Sequence, residues 1–284
     1  MDTRTLNNIS VIKVGGAVVE DPEQLTILLD DFVRLKGPKV LVHGGGRTAT
    51  TLAKQLGIES RMVGGRRITD DEMLRVVTMV YGGLVNKNIV AQLQARDVNT
   101  LGLTGADMNL IRAHRRPVTT EGIDFGFVGD VDCADGTRFA ELLASGITPV
   151  IAPLTHDGEG HLLNTNADTM AQIVATALAA VRTLVATSPS SLSPPPCDSV
   201  AGGLPAGVSL TFCFELPGVL RDPADPASLI PRITEADFRA LVADGTISGG
   251  MIPKLENAFS ALHDGVSSVR ITHISDLQGG TLIM

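Results

Sequence analysis

The sequence predicts an α/β fold in which a central, mostly parallel sheet is covered by helices on both faces. Short apolar runs alternate with longer amphipathic stretches along the chain, the strand–helix–strand rhythm that parallel pairing requires. Of 284 residues, 44% are apolar, enough for one large domain or two lobes. Two strand–glycine units lie within the first 46 residues.

The first strand covers 10–14, where Val11-Ile12-Lys13-Val14 runs into Gly15-Gly16. A helix is predicted over 22–36. The second strand, 40–42, runs through His43 into Gly44-Gly45-Gly46, with a helix over 47–56. A long helix is predicted over 70–96. Thr69-Asp70-Asp71-Glu72 fits a capping box, and Met73, Val76, Val77, Val80 and Leu84 keep helical spacing. Gly82-Gly83 costs about 1 kcal/mol per residue relative to Ala, which signals either close packing, as against a partner subunit, or a kink or end there. Further helices are expected over 136–145, 167–181, 235–244 and 253–263. Further strands are expected over 148–152, 183–186, 210–214 and 268–272. Residues 188–207, rich in Ser, Pro and Gly, are read as a mobile surface loop.

Composition excludes several functions. Net charge is −8, aromatics are 3%, Trp is absent and no basic run of five occurs, so neither nucleic acid nor an anionic membrane is an expected partner. Cys133, Cys197 and Cys213 have no C-x-x-C spacing and form no metal motif. The first residues carry no signal-peptide core. The longest apolar stretch, 171–186, is broken by Gln172, Thr176, Arg182 and Thr183. A soluble, cytoplasmic protein is expected.

Four elements supply candidate chemistry. Gly15, Gly16, Gly44 and Gly45 let bare N–H groups approach an anion beyond the C-terminal ends of strands, although strand-to-helix turns also use Gly for steric reasons. Lys13 sits in a buried strand, where an ammonium is costly unless paired or facing a ligand. Arg67 precedes the capped helix and could fork onto a carboxylate. Asn164 and Asn166 alternate on an extended segment and could face one ligand, while Asn166 also fits an N-cap. Asp168 falls in the first turn after it and could orient lysines. Lys254, beside Gly249-Gly250 and Pro253, puts a cation at a helix N-terminus, a conflict that a bound anion resolves. His43 is better explained by packing than by acid–base work. No Walker, protein-kinase, G-x-S-x-G or H-E-x-x-H motif is present. Backbone donors, two lysines and one carboxylate are what phosphoryl transfer needs.

In order along the chain, Lys13-Val14-Gly15-Gly16, Val42-His43-Gly44-Gly45-Gly46, Arg67-Ile68-Thr69, Asn164-Thr165-Asn166-Ala167-Asp168 and Gly249-Gly250-Met251-Ile252-Pro253-Lys254 resemble the amino acid kinase family. The resemblance runs from about residue 9 to the C-terminus. It implies a single domain, 1–284, with a three-layer αβα sandwich of the carbamate-kinase-like type. A lobe over 1–165 would bind an acyl amino acid and a lobe over 166–284 the nucleotide.

The implied activity is ATP-dependent phosphorylation of the side-chain carboxylate of an N-acylated L-glutamate, the second step of arginine biosynthesis, with acetyl or succinyl as the acyl group. The segments 79–87 and 126–131 resemble a branch in which succinyl is used. Lys13, Lys254, Asp168, Gly16 and Gly45 would be catalytic. Gly44, Gly45, Arg67, Asn164 and Asn166 would bind the acyl amino acid. Lys13, Gly15, Gly16, Glu215, Gly218 and Lys254 would contact ATP. Mg²⁺ would bridge the ATP phosphates, with no side chain assigned as its ligand. Phe214 and Glu215 stand where the family often has Thr-Asp, and the strand bearing Lys13 begins without the N-terminal helix of hexameric, arginine-inhibited members. A homodimer packed through helix 70–96, insensitive to arginine, is therefore expected. The alternatives are a sister kinase acting on carbamate, aspartate, glutamate or UMP, and a non-catalytic amino acid/ATP sensor.

Overall fold

The structure, a computed structural model, describes residues 8–181 and 207–284. The predicted strand 183–186 and most of the predicted loop 188–207 lie outside the described residues.

Strand β1 (Ile9–Val14) leads through the short helix α1 (Gly16–Glu20) to α2 (Pro22–Arg34). Asp21 starts α2 by accepting from the N–H groups of Glu23 and Gln24. Next come β2 (Lys39–His43), α3 (Gly46–Gln55) and a hairpin of β3 (Met62–Val63) and β4 (Arg66–Arg67). A long rod follows, made of α4 (Asp71–Val77), a π-helical segment (Thr78–Val85) and α5 (Asn86–Gln94). Strands β5 (Thr100–Leu103), β6 (Ile111–Arg115) and β7 (Gly129–Ala134) precede α6 (Gly136–Ala144). Then β8 (Thr148–Ile151), β9 (Leu154–His156) and β10 (Leu162–Asn164) lead into α7 (Ala167–Ala180). The last part contains β11 (Val208–Phe214), β12 (Arg232–Ile233), α8 (Glu235–Ala243), α9 (Met251–His263), β13 (Ser268–His273) and β14 (Thr281–Ile283).

Eight strands form the central sheet in the order β12-β14-β13-β11-β1-β2-β8-β5. Every pairing is parallel except β13 with β14. Alternation along β1 divides the core. Ile9 and Val11 face one cluster with α6, α7 and α9, whereas Ile12 and Val14 face the other with α2, α3 and the rod. The layers are thus helix, sheet, helix. Chain order turns outward in both directions from β1, which puts a crevice at its C-terminal end. Among the described residues no helix is long and apolar enough to cross a membrane.

The expected helix 70–96 is corrected in two ways. Its N-cap is Asp70, which accepts from the Met73 N–H. Thr69 is instead held in a β-bridge to Gly126. The rod passes through Gly82-Gly83 without ending, by widening to π-helical pairing. A Cβ on Gly82 would stand 3.5 Å from Leu154, whereas one on Gly83 would meet nothing within 4 Å. A second sheet, β10-β9-β6-β7, was not expected from the sequence. Its strands are short and half exposed, and Ile111-Arg112-Ala113-His114-Arg115 is mostly polar.

Candidate active site

The alternation that sends Ile9 and Val11 toward α7 sends Lys13 the same way. Lys13 is buried, and its Nζ lies 2.7 Å from Oδ1 of Asp168 in the first turn of α7. Lys254, in the first turn of α9, stands over the same face of the sheet, 4.8 Å from the ring centre of Phe214. Burial opposes ionisation of Asp168, yet the charges of Lys13 and Lys254 hold its carboxyl below the usual carboxylate range. Burial pulls the Lys254 pKa down, with Asp168 opposing and Lys13 reinforcing. One carboxylate thus balances two ammonium groups, leaving a net positive charge for an anion. Cys213 is a free thiol beneath this cluster, and burial pushes its pKa up to about 12, so it stays neutral.

The two glycine loops pack backbone against backbone. A Cβ on Gly44 would stand 3.1 Å from the Gly16 nitrogen, and one on Gly16 would stand 3.3 Å from the Gly45 nitrogen. Side chains at either position would push the loops apart. Gly45, at φ +156°, adopts a backbone that L residues rarely take. The four predicted glycines are not equivalent. The Gly15 N–H donates to the Cys213 carbonyl at 3.1 Å and the Gly44 N–H to the Val14 carbonyl at 3.1 Å, both extending the sheet. The N–H groups of Gly16, Gly45 and Gly46 have no such partner among the described residues. They are the donors free to meet a ligand, and Gly45 and Gly46 open α3, whose partial positive charge adds to the effect.

A cleft of about 200 Å³ opens beside these loops, lined by Gly44, Gly45, Gly46, Arg67, Asn164 and Asn166 among others. Arg67 is buried and held on several sides. It donates to the Gly46 carbonyl and the Thr50 hydroxyl, each at 2.8 Å, and to Ser60. Its guanidinium is therefore oriented before any ligand arrives. Asn164 closes β10 and donates from Nδ2 to the Thr69 hydroxyl at 3.0 Å. Asn166 is the N-cap of α7, its Oδ1 accepting from the N–H groups of Asp168 and Thr169. Its amide nitrogen remains available to the cleft it lines. Both sequence readings of Asn166 are thus compatible.

Glu215 and Gly218 lie apart from this cleft. Glu215, just beyond β11, approaches Arg47 at 3.8 Å and borders a separate acidic depression with Glu20, Asp21 and Glu23. It still acts electrostatically on Lys254. Gly218 is required sterically, because a Cβ there would stand 2.6 Å from Leu229 and 2.7 Å from Thr281. His43 is fully buried, with its ring nitrogens against the Gly44 carbonyl and the Asn86 amide, and burial lowers its pKa to about 4. It packs rather than exchanging protons.

Among the lining residues that sequence reasoning missed are Tyr81 and Arg66. Tyr81 sits among apolar residues at helical spacing and reads as core. Arg66 sits beside Arg67, and strand alternation would send the two side chains to opposite faces; that both border one cleft is visible only in the folded structure.

Residues 8–191 and 200–273 match the amino acid kinase family. An acetylglutamate kinase of Bacteroides fragilis is 54% identical, across 100% of this chain and 99% of that protein. One of Bacteroides thetaiotaomicron is 56% identical, across 95% of each chain. Among solved structures, smu.665 from Streptococcus mutans UA159 superposes with a TM-score of 0.75 at 27% identity, covering 97% of this chain and 98% of that one. The chain therefore belongs to the amino acid kinase family.

Proposed function

We propose that this chain transfers the γ-phosphoryl group of ATP to the side-chain carboxylate of N-acetyl-L-glutamate. The acceptor comes from the activity that its relatives' names carry. The observation that supports the chemistry is the Lys13–Asp168–Lys254 cluster, set at the mouth of two touching glycine loops. A carboxylate oxygen of the acceptor attacks the γ-phosphorus, the bond to the bridging oxygen of ADP breaks, and ADP leaves with that electron pair. The acceptor is already an anion at neutral pH, so no general base is needed.

Lys13 and Lys254 neutralise charge on the moving phosphoryl group and on ADP, while Asp168 keeps the two ammonium groups apart and oriented. The N–H groups of Gly16 and Gly45 face the transferring group and the acceptor. Arg67 and Asn164, with the Asn166 amide, hold the α-carboxylate. The first lobe, 1–165, carries the acyl amino acid, and 166–284 carries ATP, with Gly15, Glu215 and Gly218 shaping the nucleotide side. Mg²⁺ would come bound to ATP and help neutralise its phosphates, which fits a cluster whose buried carboxylate is already taken by lysines. We assign a cytoplasmic homodimer formed through the rod of residues 71–94. Met79 and Leu84 on the rod and Leu101 on edge strand β5 are exposed apolar side chains, and Lys87 ties rod to strand by donating to the Gly102 carbonyl at 2.9 Å.

A second reading, N-succinyl-L-glutamate as acceptor, is favoured by Arg66. It lines the same cleft as Arg67, is half-buried and has no hydrogen-bonded partner among the described residues, while the nearby Asp130 is engaged by Arg116. Burial and the Arg116 charge pull its pKa down, so an added carboxylate would relieve it.

Trapping the acyl phosphate with hydroxylamine tests both readings. Purified protein and Mg-ATP are offered N-acetylglutamate, N-succinylglutamate, glutamate or aspartate. Hydroxamate from one N-acylglutamate supports the reading and names the acyl group. Signal only from free glutamate or aspartate assigns a sister activity. ATP binding without product from any acceptor points to a sensor.

A further inference from the structure

Tyr81 is the only tyrosine of the chain. It lies in the π-helical segment Thr78–Val85, and such widened turns recur where a helix must re-aim a side chain toward a functional site. The residues before it on the rod, Met73, Val76 and Val77, are buried in the core. Tyr81 is also only 5% exposed, but it borders the cleft.

Its side chain touches both ends of that cleft. Two ring carbons lie 3.0 and 3.2 Å from where a Cβ on Gly45 would stand, so the ring is a wall behind the Gly45 backbone. The Arg67 guanidinium, at the other end of the cleft, is the cation that favours ionisation of the Tyr81 hydroxyl. Burial raises the phenol pKa, which keeps the hydroxyl neutral at physiological pH. Phenylalanine would fill the same volume with no polar atom to satisfy. Arg67 is the charged group beside that hydroxyl, and it is itself anchored by donating to Ser60, Gly46 and Thr50.

We propose that Tyr81 is a positioning residue for the acyl amino acid. Its ring fixes Gly45, whose N–H meets the acceptor carboxylate. Its hydroxyl fixes the Arg67 guanidinium, which meets the α-carboxylate. One side chain on the π turn thereby sets the distance between the two anion-binding ends of the cleft. This assignment rests on the kinase reading above.

The test is calorimetric titration of N-acetylglutamate, or N-succinylglutamate if that is the acceptor, into wild type and Tyr81→Phe, followed by steady-state kinetics. Tyr81→Phe keeps the ring, so melting temperature, kcat and the KM for ATP should stay near wild type. The Kd and KM for the acyl amino acid should rise about fivefold, the scale of one lost polar interaction. Tyr81→Leu, which also removes the ring, should lower kcat tenfold or more at saturating substrates. Adding Tyr81→Phe to Arg67→Lys should cost less than the product of the two single effects. An unchanged Kd in Tyr81→Phe, or an equal rise in the KM for ATP, overturns the proposal while wild-type turnover leaves the kinase reading standing. A wild type that neither binds nor phosphorylates an N-acylglutamate overturns both.

Discussion

Lys13 Nζ lies 2.7 Å from Asp168 Oδ1, joining the innermost strand of the sheet to the first turn of a helix from the second half of the chain. Strand alternation aims Lys13 at α7, and the Asn166 cap fixes where α7 begins, which sets Asp168 opposite it. The pair therefore follows from two local rules acting far apart in sequence.

If Asp168 acts through the lysines, its loss and theirs should overlap. Lys13→Met and Asp168→Asn should each lower kcat about 100-fold, the scale of removing one preorganised electrostatic group. The double variant should be far better than the product of the two losses. Hydroxamate formation at saturating substrates, with melting curves to verify folding, measures all four corners of the cycle. Fully multiplicative losses would assign Asp168 a separate role.

Much of this was legible in the sequence because it rests on local patterns. Val11-Ile12-Lys13-Val14 shows a lysine where a strand should be buried, and the glycines at its end mark a close approach. Pairing between distant segments was not legible. Gly15 and Gly44 look identical in sequence to Gly16 and Gly45, yet their N–H groups are consumed by the Cys213 and Val14 carbonyls. The π turn was hidden because one widened turn leaves the apolar spacing of Met73, Val76, Val77 and Val80 intact before it. Asp70 displaced Thr69 as N-cap because Thr69 is drawn into contacts with Gly126 and Asn164, which no local pattern reports.

Arg66 should separate the two acceptors. A half-buried guanidinium without a hydrogen-bonded partner is costly for an uncharged acetyl group and favourable for a second carboxylate. Arg66→Ala should raise the KM for N-succinylglutamate tenfold or more and change that for N-acetylglutamate less than twofold, by the scale of a charge-assisted hydrogen bond. Equal effects on both acceptors would remove Arg66 from the acyl end.

The rod supplies a test of assembly. Leu84 is 62% exposed on the π segment, beside the Gly83 backbone, where a Cβ would meet nothing within 4 Å. Placing a charge on such an apolar face disfavours burial against a second copy. Leu84→Asp should convert a dimer to a monomer in light scattering without lowering helix content by circular dichroism. A wild type that is monomeric, or a dimer unmoved by Leu84→Asp, would locate the contact elsewhere or abolish it.

His43 should make stability depend on pH in a defined window. Burial lowers its pKa from 6.5 to about 4, opposed by its bond to the Gly44 carbonyl and reinforced by the Lys87 charge. Between those values the unfolded chain binds a proton that the folded chain does not, so stability rises with pH and falls as pH drops from 6.5 toward 4. Going from pH 7 to pH 5 should cost about 2 kcal/mol from this group. His156, whose pKa is lowered by burial and by Arg112, acts in the same direction. The depressed carboxyl of Asp168 acts lower, with its stabilisation lost as pH falls below about 4. Urea unfolding at pH 7 and pH 5, for wild type and His43→Gln, isolates the His43 share. The variant should be less stable than wild type at pH 7 but lose less between the two pH values. An identical loss in both proteins would show that the buried imidazole is not the group that sets the slope.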